Sequence, residues 1–596
     1  MSDAWLAEHD PLFILMFVTS RRYVIHVSTF RGTRSPVVRH FKRTFSTQPK
    51  EGRNPLFAYT DGRFLRNEEK ELSLRYSPFN VTALEQVASR CLSAKRCTEF
   101  TKIGEGAFNK VLLLRFDNNR EVIVRIPCPI IGNVERTIQS EVATMEYIRE
   151  QWGIFDDLPK LPKVLAWNAS YSNPVESPYI ILEYTPGVTL GSRWKKIKGK
   201  PVLAVMDSIF AMEQALLCQP FSQYGSIYFT EDVSPELRDR PLYPPGRNIV
   251  YPPDLTPQAE PPSSEYFSRK YKIGPTADRQ WYRGAYADIE CDRGPWPDVA
   301  SYLKSAATFQ LKALDAGIGF GPPQPRSKKS DIPQLRRLLE LCIQLAPFVV
   351  PHGKLSELVL AHPDLSLGNL IVSPDGPPSV QGIIDWQFST IEPYFQQCSI
   401  PRYIVFSEKI GGVQVGLFPT LPDNYDQMSP EEKEFMDVEL MLATRQNVYR
   451  MKCVEYRERE KALKMAYYCP IDQLAFYCTR CIAEGPIPLR TALITIQQNW
   501  QELGKYCHIA PEVSCPLDFT EEEIAAHEIK AQNWEKYTQY SEMLFNYLRA
   551  DESGIVNDSD FERAVSIMDD CRKEWAEFGV KGPFPIVEGG YSYHLV

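Results

Sequence analysis

The stretch LAHPDLSLGNLIVSPDGPPSVQGIIDWQFST, residues 360–390, constrains the fold more than any other part of the chain. It holds a short apolar run at Leu370-Ile371-Val372 and a second, VQGII, that ends on Asp385; the turn SPDGPP joins them. Two apolar runs around such a turn predict a tight hairpin. His362, Asp364 and Asn369 stand just before the first strand. Carboxylates at the ends of buried strands are costly unless something positive compensates them. The hairpin lets Asn369 and Asp385 lie near one another. Two hard oxygen donors of limited charge suit Mg²⁺, which keeps waters and takes the rest of its shell from nucleotide phosphates. Asp364 is left for another task, accepting the proton of an attacking hydroxyl.

Upstream, EFTKIGEGAFNKVLLLRFDNNREVIVRIP reads as two strands, Val111–Phe116 and Glu121–Ile126, joined at Asp117-Asn118-Asn119. The glycines of GEGAFNK, residues 104–110, lie between strands. Such a loop can fold over phosphates, because glycine lets backbone amides approach closely, but a plain hairpin turn accounts for it equally well. Arg125, flanked by Ile123, Val124 and Ile126, needs an anion unless it sits on an exposed edge. Glu141 is a fitting partner, on a helix whose apolar face carries Val134, Ile138, Val142 and Met145. Each part is ambiguous alone. In order they give glycine loop, strand cation, helix glutamate, H-x-D-x-x-x-x-N and a further aspartate, which is the order of a kinase.

HPDLSLGNLIV followed by GIIDWQFS resembles the aminoglycoside phosphotransferase/choline kinase family, whose mark is Asp-Trp in place of Asp-Phe-Gly. The stretches FAYTDGRFLRNE, GEGAFNKVLLL, RIPCP, SEVATMEYI, IGPTADRQWYRG and RGPW resemble, more narrowly, the fungal altered-inheritance-of-mitochondria group, over roughly residues 55–545. The resemblance implies an α+β, two-lobed protein-kinase-like fold, with a small antiparallel sheet lobe, a larger helical lobe and an extended helical C-terminal part. It implies ATP between the lobes, under Gly104, Gly106, Phe108 and Asn109, with Glu183 opening a hinge that runs to Gly187. Arg125 would hold phosphate oxygens and pair with Glu141. Asp364 would be the base, Asn369 and Asp385 would bind Mg²⁺, and His362 would brace the loop. Two departures from protein kinases stand out: Asn109 replaces the last loop glycine, and Arg125 replaces the strand lysine. The implied activity is ATP-dependent phosphate transfer to a small hydroxyl-bearing molecule. The alternative is a pseudokinase with a nucleotide-binding or scaffold role in mitochondrial inheritance.

The expected organisation is a transit peptide over 1–50, an extension over 51–97, a sheet lobe over 98–183, and a helical lobe over 184–425. A Pro-rich irregular insertion covers about 219–300, and helices fill 426–596. Helix starts are signalled by Ser429 with Glu432 and by Thr520 with Glu523, both capping-box pairs. Residues 1–50 hold eight Lys or Arg against three acids, and no acid follows between Met16 and Lys50. That composition predicts a mitochondrial address, with RTFST at 43–47 resembling a matrix-protease site. The run Leu12–Val18 is too short to span a bilayer. The other residues carry a net −13, which argues against a nucleic-acid backbone as partner. Of fourteen cysteines only Cys478 and Cys481 form a CxxC, read as one helix face with buried thiols.

Overall fold

A computed structural model describes residues 54–251, 255–318, 328–406, 418–468, 470–507, 509–551, 553–577, 582 and 584–586. Two short elements come first, β1 (Arg63–Phe64) and α1 (Glu68–Leu74), followed by α2 (Val81–Leu92). Asn80 caps α2 by accepting the Ala83 N–H (3.1 Å). Then the side-chain period changes from 3.6 to 2. Strands β2 (Cys97–Glu105), β3 (Asn109–Phe116) and β4 (Glu121–Pro127) lead to helix α3 (Val134–Trp152), then to β5 (Val164–Asn168) and β6 (Tyr179–Glu183). They form one antiparallel sheet in the order β2-β3-β4-β6-β5. Asn119, in left-handed backbone (φ 58°), makes the β3–β4 turn. The alternation decides the layers. Leu112, Leu114, Val122, Val124, Tyr179 and Ile181 pack with Leu84 and Ala88 of α2, while Ile180 and Leu182 join Ile138, Val142 and Met145 of α3.

Beyond the sheet, β7 (Val188–Thr189) leads to α4 (Lys200–Leu217), β8 (Ser226–Phe229) and β9 (Tyr271–Gly274). Helices α5 (Val299–Asp315) and α6 (Ile332–Leu345) follow, then β10 (Leu358–Leu360), β11 (Leu370–Val372), β12 (Val380–Ile383) and β13 (Ile391–Pro393). Strands β12-β11-β7 make one small sheet, which ties the connection after β6 to the hairpin. The remaining helices are α7 (Pro430–Glu455), α8 (Arg457–Tyr468), α9 (Ile471–Cys478), α10 (Pro486–Gln498) and α11 (Glu521–Leu548); β14 (Ile555–Val556) and α12 (Asp558–Glu577) close the described chain. Both capping boxes form, at Ser429 and Thr520. The architecture is α+β: a small antiparallel sheet lobe, a larger helical lobe and a helical C-terminal part, as in protein kinases. No helix among the described residues is long and apolar enough to cross a membrane.

Three local readings change. The Pro-rich stretch is not merely irregular. It contributes β8, β9 and a set of buried aromatics, among them Tyr224, Tyr271, Trp281 and Trp296, to the main core. Their spacing fits neither strand nor helix because loops deliver them. The CxxC helix is broken: α9 ends at Cys478, and a separate short helix begins at Cys481, with both thiols buried. Finally, β12 stops at Ile383. Asp385 lies beyond it in left-handed backbone (φ 70°), so pairing ends before the carboxylate. Residues 1–50 lie outside the described residues.

Candidate functional site

The hairpin sets the site. Leu370, Ile371 and Val372 are buried and pair with Ile383, Gly382 and Val380, and the ladder extends by one bond, from Ile384 N–H to the Asn369 carbonyl (3.0 Å). Asn369 therefore lies opposite Ile384, next to Asp385. Its Nδ2 donates to the Asp364 carbonyl (2.8 Å) and to Asp364 Oδ2 (3.1 Å), which leaves Oδ1 as its atom for a cation. His362 ties the two halves together. Its Nδ1 accepts the Asp364 N–H (3.2 Å), so Nε2 carries the proton and donates to the Ile384 carbonyl (3.1 Å). Burial lowers the His362 pKa to about 4, so the imidazole is neutral. Its ring meets Trp386 edge-on, with centroids 4.5 Å apart.

Arg125 faces this loop from β4. It is buried (8% exposed) and makes an ion pair with Glu141 through Nη1; Nη2 donates to Asp385 Oδ1 (2.8 Å) and to Gln387 Oε1 (3.2 Å). Burial opposes its charge, but Glu141 and Asp385 outweigh that, and its pKa stands above the ordinary value. Burial pushes Glu141 up to about 7, with Arg125 pulling it down. Left-handed backbone at a residue other than glycine costs on the order of 1–2 kcal/mol and persists where neighbours over-determine it. At Asp385 those neighbours are the Arg125 guanidinium on its carboxylate and His362 on the preceding carbonyl.

The glycine loop lies above. Gly106 N–H donates to the Asn109 carbonyl (2.9 Å), and a Cβ added at Gly106 would meet nothing within 4 Å. Packing within the chain thus does not demand glycine there, whereas close approach of a ligand would. Phe108 is buried against Phe388 and below the Arg279 guanidinium, and its carbonyl accepts the Cys128 N–H (2.7 Å). The side-chain amides of Asn109 and Gln387 lie 2.7 Å apart, closing the loop onto the segment after Asp385. Glu183 ends β6 with an exposed side chain, which accepts the Lys163 N–H (3.4 Å); it makes no contact with the Arg125–Asp385 group.

Among the described residues no three His, Cys, Asp or Glu side chains gather as a metal cluster. An ion held by Asn369 and Asp385 would need its other ligands from water and phosphate. That fits Mg²⁺ and not a structural zinc. Gln387, Phe388 and Arg279 went unnoticed in the sequence. The polar Gln387 inside the apolar run IIDWQF was the one available signal.

The sequence profile of the phosphotransferase enzyme family matches residues 297–396, the span that carries His362, Asp364, Asn369 and Asp385. A subtelomeric hrmA-associated cluster protein of Aspergillus fumigatus is 30% identical over 508 residues, covering 79% of this chain and 91% of its own. Altered inheritance of mitochondria protein 9, mitochondrial, of Yarrowia lipolytica is 25% identical over 515 residues, 82% of each chain. The chain belongs to this family of phosphotransferase-like proteins. Several of the yeast relatives are named as mitochondrial proteins. A thermostable mutant aminoglycoside phosphotransferase, solved with AMP-PNP and hygromycin B, covers 69% of this chain at 12% identity and a TM-score of 0.33. That likeness is too slight to add to the strand order.

Proposed function

We propose that this family member is an ATP-dependent phosphotransferase acting on a small hydroxyl-bearing molecule. The observation that carries the reading is the convergence of Arg125, Asp364, Asn369 and Asp385, drawn from two distant parts of the chain, beneath a glycine loop. Phosphoryl transfer asks a protein mainly to position groups and to offset charge. The backbone of the loop at Gly104, Gly106, Phe108 and Asn109 covers the phosphates, and Arg125, held by Glu141, offers its guanidinium to phosphate oxygens. Glu183 opens the connection between the lobes. Asn369 and Asp385 hold Mg²⁺, which when bound neutralises charge on the phosphates. Asp364, oriented by the Asn369 amide and by His362, accepts the proton of the acceptor hydroxyl as it attacks. The expected boundaries, an extension over 51–97, a sheet lobe over 98–183 and a helical lobe from 184, belong to the same proposal.

A second reading, a pseudokinase that binds nucleotide without turnover, draws on Arg125: its Nη2 already donates to Asp385, which loads a metal ligand with a competing cation. Phosphorylation of a metabolite extract with labelled ATP separates the two. The phosphotransferase reading expects labelled small molecules with the wild type and none with Asp364→Asn. An extract labelled by neither, from protein that binds Mg-ATP, favours the second.

A further inference from the structure

The glycine loop contains one acid, Glu105, between Gly104 and Gly106. A carboxylate beside phosphates repels them, so phosphate binding gives it no task. Glu105 is 2% exposed and is held from beneath the loop. Its Oε1 accepts from Lys110 Nζ (2.7 Å), and its Oε2 accepts from Lys102 Nζ (2.8 Å), from the Thr60 N–H (2.7 Å) and from Thr60 Oγ1 (3.2 Å). Both lysines also grip the N-terminal segment: Lys102 Nζ donates to the Ala58 carbonyl (2.9 Å) and Lys110 Nζ to the Arg75 carbonyl (2.8 Å). Three side chains at the two feet of the loop, on β2 and β3, thus hold both ends of residues 58–75.

That segment is anchored elsewhere too. Strand β1 pairs antiparallel with β14, Arg63 opposite Val556 and Phe64 opposite Ile555. Leu65 lies in one apolar cluster with Leu544, Leu548, Val556 and Trp575, and Arg66 Nη1 donates to the Pro585 carbonyl (3.1 Å). A continuous path of contacts therefore runs from α11 and α12, through residues 58–75, to the feet of the glycine loop.

We propose that Glu105 is a positioning residue that fixes the glycine loop in its phosphate-receiving shape, and that residues 58–75, backed by α11, β14 and α12, are the outer support of the nucleotide site. This rests on the phosphotransferase reading. A loop with two glycines samples many shapes when unsupported, and a ligand that must select one of them binds more weakly. The buried carboxylate supplies the support from the face opposite the phosphates.

Hydrogen–deuterium exchange of the full chain without nucleotide reads the loop directly. Glu105→Gln keeps the shape and removes the charge on which two lysines depend. Amides of residues 104–109 should then exchange roughly tenfold faster or more, while those of β4 keep their rates. Leu65→Ala, set in the remote cluster, should give the same pattern at smaller amplitude. Mg-ATP affinity of Glu105→Gln should fall roughly tenfold. Loop exchange unchanged in Glu105→Gln overturns the inference. So does acceleration spread evenly over the whole sheet, the mark of a merely structural ion pair. If Glu105→Gln does not fold, Leu65→Ala decides by the same criterion. A wild type that binds no Mg-ATP overturns the phosphotransferase reading instead, and the exchange result still judges Glu105.

Discussion

Replacing Arg125 by methionine should give a stability loss that grows with pH. Arg125 and Glu141 are 8% and 2% exposed, so water screens their pairing poorly. The Glu141 carboxyl lies near 7, against an ordinary value of 4.5. A folded-state pKa raised above the unfolded one means stability that is full below pH 4.5 and is lost as pH rises to about 7. In the wild type that loss ends near 7. Without Arg125 nothing opposes burial, the carboxyl keeps its proton past 7, and the loss continues at up to about 1.4 kcal/mol per pH unit. The gap between wild type and Arg125→Met should therefore widen by about 3 kcal/mol between pH 7 and about pH 9. Urea unfolding followed by tryptophan fluorescence, in magnesium-free buffer, measures it. The double variant Arg125→Met/Glu141→Gln has no carboxyl at position 141 to titrate, and its gap should stay constant over the same range. A gap that does not widen in Arg125→Met, or widens equally in the double variant, refutes the assignment of Arg125 as the group that keeps Glu141 ionisable.

Asp364→Asn should keep near-wild-type ATP affinity and lose phosphate transfer by 10²–10⁴-fold as an order of magnitude; a deletion strain fully rescued by it would show that catalysis is dispensable. Asn369→Ala should abolish the Mg²⁺-dependent part of the ATP-induced rise in melting temperature, and it is a cleaner test than Asp385→Ala, which also strips Arg125 of a partner; equal ATP stabilisation in EDTA and in Mg²⁺ counts against the metal assignment. His362, with a pKa near 4 in place of 6.5, contributes stability that is present above pH 6.5 and lost as pH falls towards 4, up to about 3 kcal/mol. An acid-unfolding curve of His362→Gln no flatter than that of the wild type would contradict this. A chain beginning at Met16 should enter mitochondria at least as well as the full chain, because the three acids among residues 1–15 oppose import; imaging of both fusions that shows a requirement for residues 1–15 would reverse the reading.

What the sequence made legible has local causes. The hairpins at Asp117–Asn119 and Ser373–Pro378, the capping boxes at Ser429 and Thr520, and the apolar stripe of α3 each follow from residues a few positions apart. The closeness of Asn369 and Asp385 belongs here too, because one short turn produces it. Long-range contacts left little trace. The second partner of Arg125 lies 260 residues away, and nothing near Arg125 in the sequence points to Asp385 as that partner. Strand β1 has two residues and no alternation to read, and its partner comes nearly 500 positions later, close to Glu562, which Arg63 also meets. Nothing local in the sequence marks Lys102, Glu105 and Lys110 as buried, yet all three are. Burial of a charge is a property of what closes over it. Here the covering segment precedes the sheet and is itself held by the C-terminal helices, so the cause lay at both ends of the described chain while its effect lay at the glycine loop.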